Sequence, residues 1–252
     1  MTSEVRTSIA DGVAVLTLSN PERRNAMNLD LSAKLVAALD AAVADPHVGG
    51  VVITGEAPAF CAGGDLSELQ GADPARLRAV YTGFLAVADC PLPTVAAVNG
   101  AAVGAGLNLA LACDLRLAGP RAKFDARFMQ LGLHPGGGYT WMVDRALGTQ
   151  GAKALTLFCD ILDAIDAERV GLVWRRYEDD AALLAGARTL AGQAASAPRS
   201  LIETTKATMR VTAGPISHYD ATEIEVRAQA ASVRSPDFQE RVRALQARIS
   251  KR

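Results

Sequence analysis

Val98-Asn99-Gly100-Ala101-Ala102-Val103-Gly104-Ala105-Gly106-Leu107-Asn108-Leu109-Ala110 runs from an apolar β-rich segment, through a glycine-containing turn, into a helical pattern. Gly104-Ala105-Gly106 begins a GxGxxG dinucleotide fingerprint. Leu109 stands where the third glycine belongs, however, and no acidic residue follows on a strand at the distance that would hold a ribose hydroxyl. The chain contains no GxxxxGK[S/T] phosphate loop either. A second segment upstream, Ala59-Phe60-Cys61-Ala62-Gly63-Gly64-Asp65-Leu66, has the same layout of apolar run, glycines and helix start. Glycines let the main chain approach a ligand without side-chain obstruction, and Asp65 can cap the following helix. Taken alone, this segment reads first as a structural turn.

Working outward, the β-rich runs 5–9 and 13–18 flank Asp11-Gly12, a dipeptide suited to a tight hairpin. Asn28 can cap a helix whose apolar face runs through Leu31, Leu35, Val36, Leu39 and Val43, with Pro46 at its end. A buried strand is expected over 48–54, a loop over 55–64, a helix from Asp65, another over 75–88 and a strand over 94–98. A helix near 106–113 and short strands at 115–118 and 123–124 follow. From Gly138 onward helical patterns dominate. The strand, strand, helix rhythm recurs without any repeated sequence of fixed period, and no linker divides the chain.

The 252 residues, 50% hydrophobic and 21% charged, suffice for one large domain or a domain with a small appendage. The 26 basic and 27 acidic side chains nearly cancel, so a broad electrostatic attraction for nucleic acid or an anionic membrane is not expected. Cys61, Cys90, Cys113 and Cys159 form no CxxC pair, and the N-terminus lacks a basic-then-apolar signal pattern, so a reducing cytoplasm is expected. His47, His134 and His218 show no metal-ligand spacing, and no metal is assigned. The segment 90–113 has no charged residue. Its prolines, glycines and asparagines argue for a buried strand, turn and helix rather than membrane insertion.

Jointly, the two glycine segments resemble the crotonase (enoyl-CoA hydratase/isomerase) superfamily, with its FxAGxDL loop and VxGxxxGxGxxLAxxCD segment in this order. Asn20-Pro21-Glu22-Arg23-Arg24-Asn25-Ala26 resembles its NPxxxNA motif. Cys113-Asp114 resembles its CD pair, and Gly132, Pro135 and Gly136-Gly137-Gly138 its glycine-rich loop. The resemblance covers nearly the whole chain. It implies an α/β fold: a spiral of ββα repeats over residues 1–190 carrying an acyl-CoA site, then a helical segment over 191–252 serving oligomerisation and pocket closure. It further implies a homotrimer or hexamer acting on an acyl-CoA thioester, with coenzyme A part of the substrate and no separate cofactor. Position by position, it places two oxyanion-hole N–H groups on Gly64 and Ala105. Ala62, Gly63, Asp65, Phe128 and Tyr139 are implied to line the substrate site. Cys61 reads as packing and Asp114 as structural.

The family's hydratases usually carry two glutamates where this chain has Asn108 and Phe128. Asn108 can orient water but has no useful proton affinity at neutral pH, and Phe128 can do neither. Three groups are candidates to take over: Asp125, which alternatively pairs with Arg127; His134, alternatively bonded to backbone; and Tyr139, alternatively a packed anchor. An enzyme working through a thioester enolate, by isomerisation or a specialised reaction rather than efficient hydration, is the leading expectation. The alternatives are a non-catalytic acyl-CoA-binding protein and a purely structural trimer. Near the end of the chain, Arg241 and Leu245 depart from the family's glycine and phenylalanine. Lys206 and Arg210 are candidate phosphate contacts or solvated surface charge.

Overall fold

The computed structural model describes residues 3–70, 73–214, 217–232 and 234–249. The chain divides into two compact units, 1–195 and 196–252.

The first unit opens with the hairpin of β1 (Glu4–Ala10) and β2 (Val13–Ser19), in which Asp11 and Gly12 take φ values of 52° and 75°. The left-handed conformation at both turn residues matches the right-handed twist of the strands. Asn28 caps α1 (Leu29–Ala44), its Oδ1 accepting from the Leu31 amide at 2.7 Å, and Leu31, Leu35 and Leu39 are buried along its inner face. Then follow β3 (Gly50–Gly55), β4 (Ala59–Cys61), α2 (Leu66–Leu69) and α3 (Pro74–Asp89). The next repeat is β5 (Thr94–Val98), β6 (Ala101–Val103) and α4 (Ala105–Ala112), and the one after it β7 (Leu115–Ala118), β8 (Lys123–Asp125) and α5 (Tyr139–Leu157). The unit ends with β9 (Leu162–Asp163), α6 (Ala164–Arg169), β10 (Arg175–Arg176) and α7 (Asp180–Ala195).

Each internal repeat sends its first strand to one sheet and its second to another. The six-stranded sheet has the order β1-β2-β3-β5-β7-β10, and the four-stranded sheet β4-β6-β8-β9. From β2 to β10 the larger sheet is parallel, and both of its faces are covered. The period-2 alternation of β2 shows how. Val13 and Val15 pack with Leu183, Ala187 and Ala191 of α7, whereas Ala14, Leu16 and Leu18 join the larger core with α1. Gly50 lets α7 lie directly on the sheet, because a Cβ there would stand 2.8 Å from the Ala191 carbonyl oxygen.

The segment 90–113 forms β5, β6 and α4, and its polar Asn99 is satisfied by donating to the Gly55 carbonyl at 2.7 Å. Among the described residues no helix is long and apolar enough to cross a membrane. The stretches expected as the loop 55–64 and the turn after Val98 contain β4 and β6. Each has only three residues, too few to establish a period, and exists through its pairing with distant chain.

The second unit comprises α8 (Arg199–Thr212), α9 (His218–Ser232) and α10 (Pro236–Ile249). Arg241 donates to the Ser196 carbonyl at 2.7 Å, and the side chain of Leu245 lies outside the described residues.

Candidate functional site

Parallel pairing of β4 with β6, Ala59 opposite Ala101 and Cys61 opposite Ala102, brings the chain leaving one strand beside the chain leaving the other. Gly63-Gly64 thus comes to lie next to Gly104-Ala105. Gly63 (φ 116°) and Gly104 (φ 48°) occupy backbone conformations that side chains disfavour. Gly106 is held even more tightly, since a Cβ on it would lie 2.0 Å from the Cys61 carbonyl oxygen.

The first loop is fixed by Met27, whose amide donates to the Gly63 carbonyl at 2.7 Å and whose carbonyl accepts from Asp65 at 2.9 Å. The Gly64 amide between them has no acceptor among the described residues. Ala105 opens α4, and its amide likewise has none, as the first N–H groups of any helix lack an intrahelical partner. A Cβ on Gly64 would be 3.9 Å from that of Ala105, so the two residues are neighbours. The dipole of α4 adds positive potential there.

Both residues line a cavity of about 440 Å³ whose far wall is apolar, made by Leu66 and Leu69 of α2, Leu77, Val80 and Phe84 of α3, and Leu131. Ala62, Gly63, Asn108, Phe128 and His134 line it as well. Asn108, 2% exposed, donates through Nδ2 to the Gly136 carbonyl at 2.9 Å, while its Oδ1 has no partner among the described residues. His134 is exposed on the cavity wall with Nδ1 at 2.7 Å from the Pro135 carbonyl oxygen. A carbonyl only accepts, so this bond places the proton on Nδ1 and leaves the lone pair of the neutral ring on Nε2. Phe128 is buried, its ring 5.0 Å from that of Tyr139.

Three residues expected at the site do not line the cavity. Asp65 caps α2, accepting from the Ser67 amide at 3.0 Å, and pairs with Arg23. The Ser67 hydrogen bond, ahead of the Arg23 charge, holds its carboxyl below the usual range. Asp125 is 3% exposed and grips Arg127, which donates to it through Nε at 2.9 Å and through Nη2. That bond pushes the Arg127 guanidinium further toward the charged form. Tyr139 is fully buried with its hydroxyl 3.2 Å from Thr156 Oγ1, and burial raises its pKa.

Conversely, Tyr81 and Arg127 do line the cavity. Tyr81 falls on the apolar face of α3 with Leu77, Val80 and Phe84, and a polar-tipped aromatic in such a stripe was its only signal in the sequence. Among the described residues no carboxylate lines the cavity, and no cluster of His, Cys, Asp or Glu could hold a metal ion.

Cys61, fully buried beside the site, has its thiol pushed up to about 11 by burial, so it carries no thiolate at neutral pH. We expect a thiol reagent at neutral pH to leave Cys61 unmodified in the folded protein and to label it on denaturation, read by mass spectrometry of peptides. Rapid native labelling at Cys61 would show that the β4 turn opens.

The chain matches the Enoyl-CoA hydratase/isomerase family over residues 8–249. It is 52% identical over 250 residues, covering 96% of both chains, to the "Probable enoyl-CoA hydratase EchA14" of Mycobacterium tuberculosis (strain ATCC 25618 / H37Rv). Among solved structures it resembles a putative enoyl-CoA hydratase/isomerase from Mycobacterium abscessus, with TM-score 0.88, 35% identity, and coverage of 97% of this chain and 96% of that one. An enoyl-CoA hydratase from Polaromonas sp. JS666 superimposes with TM-score 0.90 at 30% identity, covering 97% of each. With the alternating strands, the paired glycine turns and a match running across both units, the chain belongs to the enoyl-CoA hydratase/isomerase family.

Proposed function

We propose that this protein is an acyl-CoA enzyme that stabilises a thioester enolate and relocates a proton on the acyl chain. The observation that carries this reading is the pair of unused N–H donors of Gly64 and Ala105 at one end of an apolar cavity. Withdrawing a proton α to a thioester drives negative charge onto the carbonyl oxygen. Two fixed donors aimed there act in the transition state, where the removal of one typically costs about 2.7–4 kcal/mol. His134 Nε2 is the base: it carries a free lone pair on the cavity wall, whereas Asp125 is buried behind Arg127. The leucines and Phe84 receive the acyl tail.

A second reading, a non-catalytic acyl-CoA-binding protein, draws support from the lack of any carboxylate among the described cavity-lining residues. Both readings require binding. Calorimetry is expected to show a medium-chain acyl-CoA binding at least about tenfold more tightly than free coenzyme A, since each buried methylene contributes about 0.8 kcal/mol before ordering costs. Undetectable binding across a range of chain lengths rejects both.

The assembly we propose is a trimer or hexamer. Within the first unit, Leu157, Phe158, Ile161 and Ile165 are exposed, Phe158 by 81%, which suits burial against another copy. Light scattering at micromolar concentration should give a multiple of three protomers, and a monomer alone would refute the assembly.

A further inference from the structure

Relocating a proton takes a removal at one carbon and a return at another; His134 can perform the first, and can perform the second only with the proton it has just taken. Its Nδ1–H is committed to Pro135, so the neutral ring offers a lone pair and no free proton. Of the other ionisable side chains that line the cavity, Arg127 is tied to Asp125 with its charge reinforced. Tyr81 remains. Its hydroxyl makes no hydrogen bond to any described residue, although it stands on a wall that is otherwise leucine, valine and phenylalanine. It also lies against the loop that carries the base: a Cβ built on Gly136 would come within 2.3 Å of Tyr81 Oη, and Gly136 is two residues from His134. Asn108 holds that loop in place through the Gly136 carbonyl. The Tyr81 hydroxyl is reachable from the cavity rather than sealed in the core, so it is open to a bound acyl chain.

We infer that Tyr81 is a catalytic acid, working with His134 in the same cavity. The inference rests on the thioester-enolate reading above. For a 3-enoyl thioester, His134 Nε2 takes the α proton, and the C–H electron pair moves into a dienolate whose charge lies on the thioester oxygen, against the Gly64 and Ala105 amides. The Tyr81 O–H bond then breaks as its proton passes to the γ carbon, and the dienolate collapses to the 2-enoyl thioester. The phenolate recovers a proton from the His134 imidazolium through solvent. No atom is gained or lost, and no redox partner is needed.

The test measures two quantities on one substrate, a 3-enoyl-CoA deuterated at the α carbon: loss of deuterium to water, and appearance of the 2-enoyl product. Tyr81→Phe removes a single oxygen from a half-buried ring, and circular dichroism verifies that it folds. In this variant the ratio of product to exchange is expected to fall by about 10²–10⁴-fold, the usual contribution of a positioned acid. A fluorotyrosine at position 81, nearly the same shape but more acidic, is expected to change the isomerisation rate in step with phenol acidity. Equal losses of exchange and product, tracking a loss of acyl-CoA affinity, would make Tyr81 a packing residue and overturn the inference. So would an unchanged product rate in Tyr81→Phe. Wild type that binds acyl-CoA yet shows neither exchange nor product overturns the enolate reading and this inference with it.

Discussion

Hydration of a short enoyl-CoA by the wild-type protein is expected to run about 10²–10⁴-fold below that of a hydratase whose cavity holds two carboxylates, the range that general acid–base assistance typically contributes. The expectation follows from what lines the cavity. Asn108 offers one buried oxygen with no proton affinity, Phe128 offers a ring, and the buried carboxylate of Asp125 is engaged by Arg127. On the proposed reading the amides of Gly64 and Ala105 still polarise a bound thioester, so α-proton exchange is expected to survive where hydration does not. In deuterated solvent, His134→Gln should abolish that exchange with acyl-CoA binding retained, because the amide keeps the size and polarity of the ring but not its basicity. Asp125→Asn should lower stability through the lost ion pair more than it lowers exchange per folded molecule. Hydration at the rate of a two-carboxylate enzyme would show that another group activates water. Exchange that persists in His134→Gln and vanishes in Asp125→Asn would transfer the role of base to Asp125.

Gly106→Ala is expected to be the most damaging single methyl that can be added near the site. The new Cβ would stand 2.0 Å from the Cys61 carbonyl oxygen and 2.9 Å from its Cβ, in contact with main chain that is itself paired in the four-stranded sheet. Neither side can yield without parting α4 from β4. Overpacking of this kind costs about 3 kcal/mol or more at its upper end. At about 2–4 °C per kcal/mol for a domain of this size, the melting temperature should drop by about 6–12 °C. Acyl-CoA affinity should fall with it, since the same displacement separates the Gly64 and Ala105 amides. Gly132→Ala is the control. Nothing lies within 4 Å of its Cβ position, and only its φ of 63° penalises a side chain, at about 1–2 kcal/mol and with no effect on the donor pair. Equal melting temperatures for Gly106→Ala and wild type would mean that the close approach of α4 to β4 is not required.

How far the sequence alone reaches is clearest where an element depends on its own residues. The Asp11-Gly12 turn, the Asn28 cap, the Leu31–Leu35–Leu39 stripe and the buried strand at 94–98 each follow from local backbone preference or from a period of 2 or 3.6. The glycines of the two turns were equally legible, because only a residue without Cβ tolerates φ 116° at Gly63 or the contact at Gly106. Asn108 and His134 could be singled out by chemistry and by their place in recognisable segments, and both line the cavity. The tertiary structure decided the remainder. β4 and β6 are too short to carry a signal and exist through pairing with distant chain, yet their pairing with each other is what sets Gly64 beside Ala105. Asp125 and His134 looked alike as candidate bases, and burial separated them. One carboxylate turns inward to an arginine two residues away, and one imidazole turns its lone pair outward. Tyr81 and Arg127 reach the cavity because α3 and the strand-to-loop exit after β8 fold over it. Local sequence sets which conformation a segment prefers. Which side chain meets the ligand is set by the packing of segments far apart in the chain, and that information is shared among residues no short window contains.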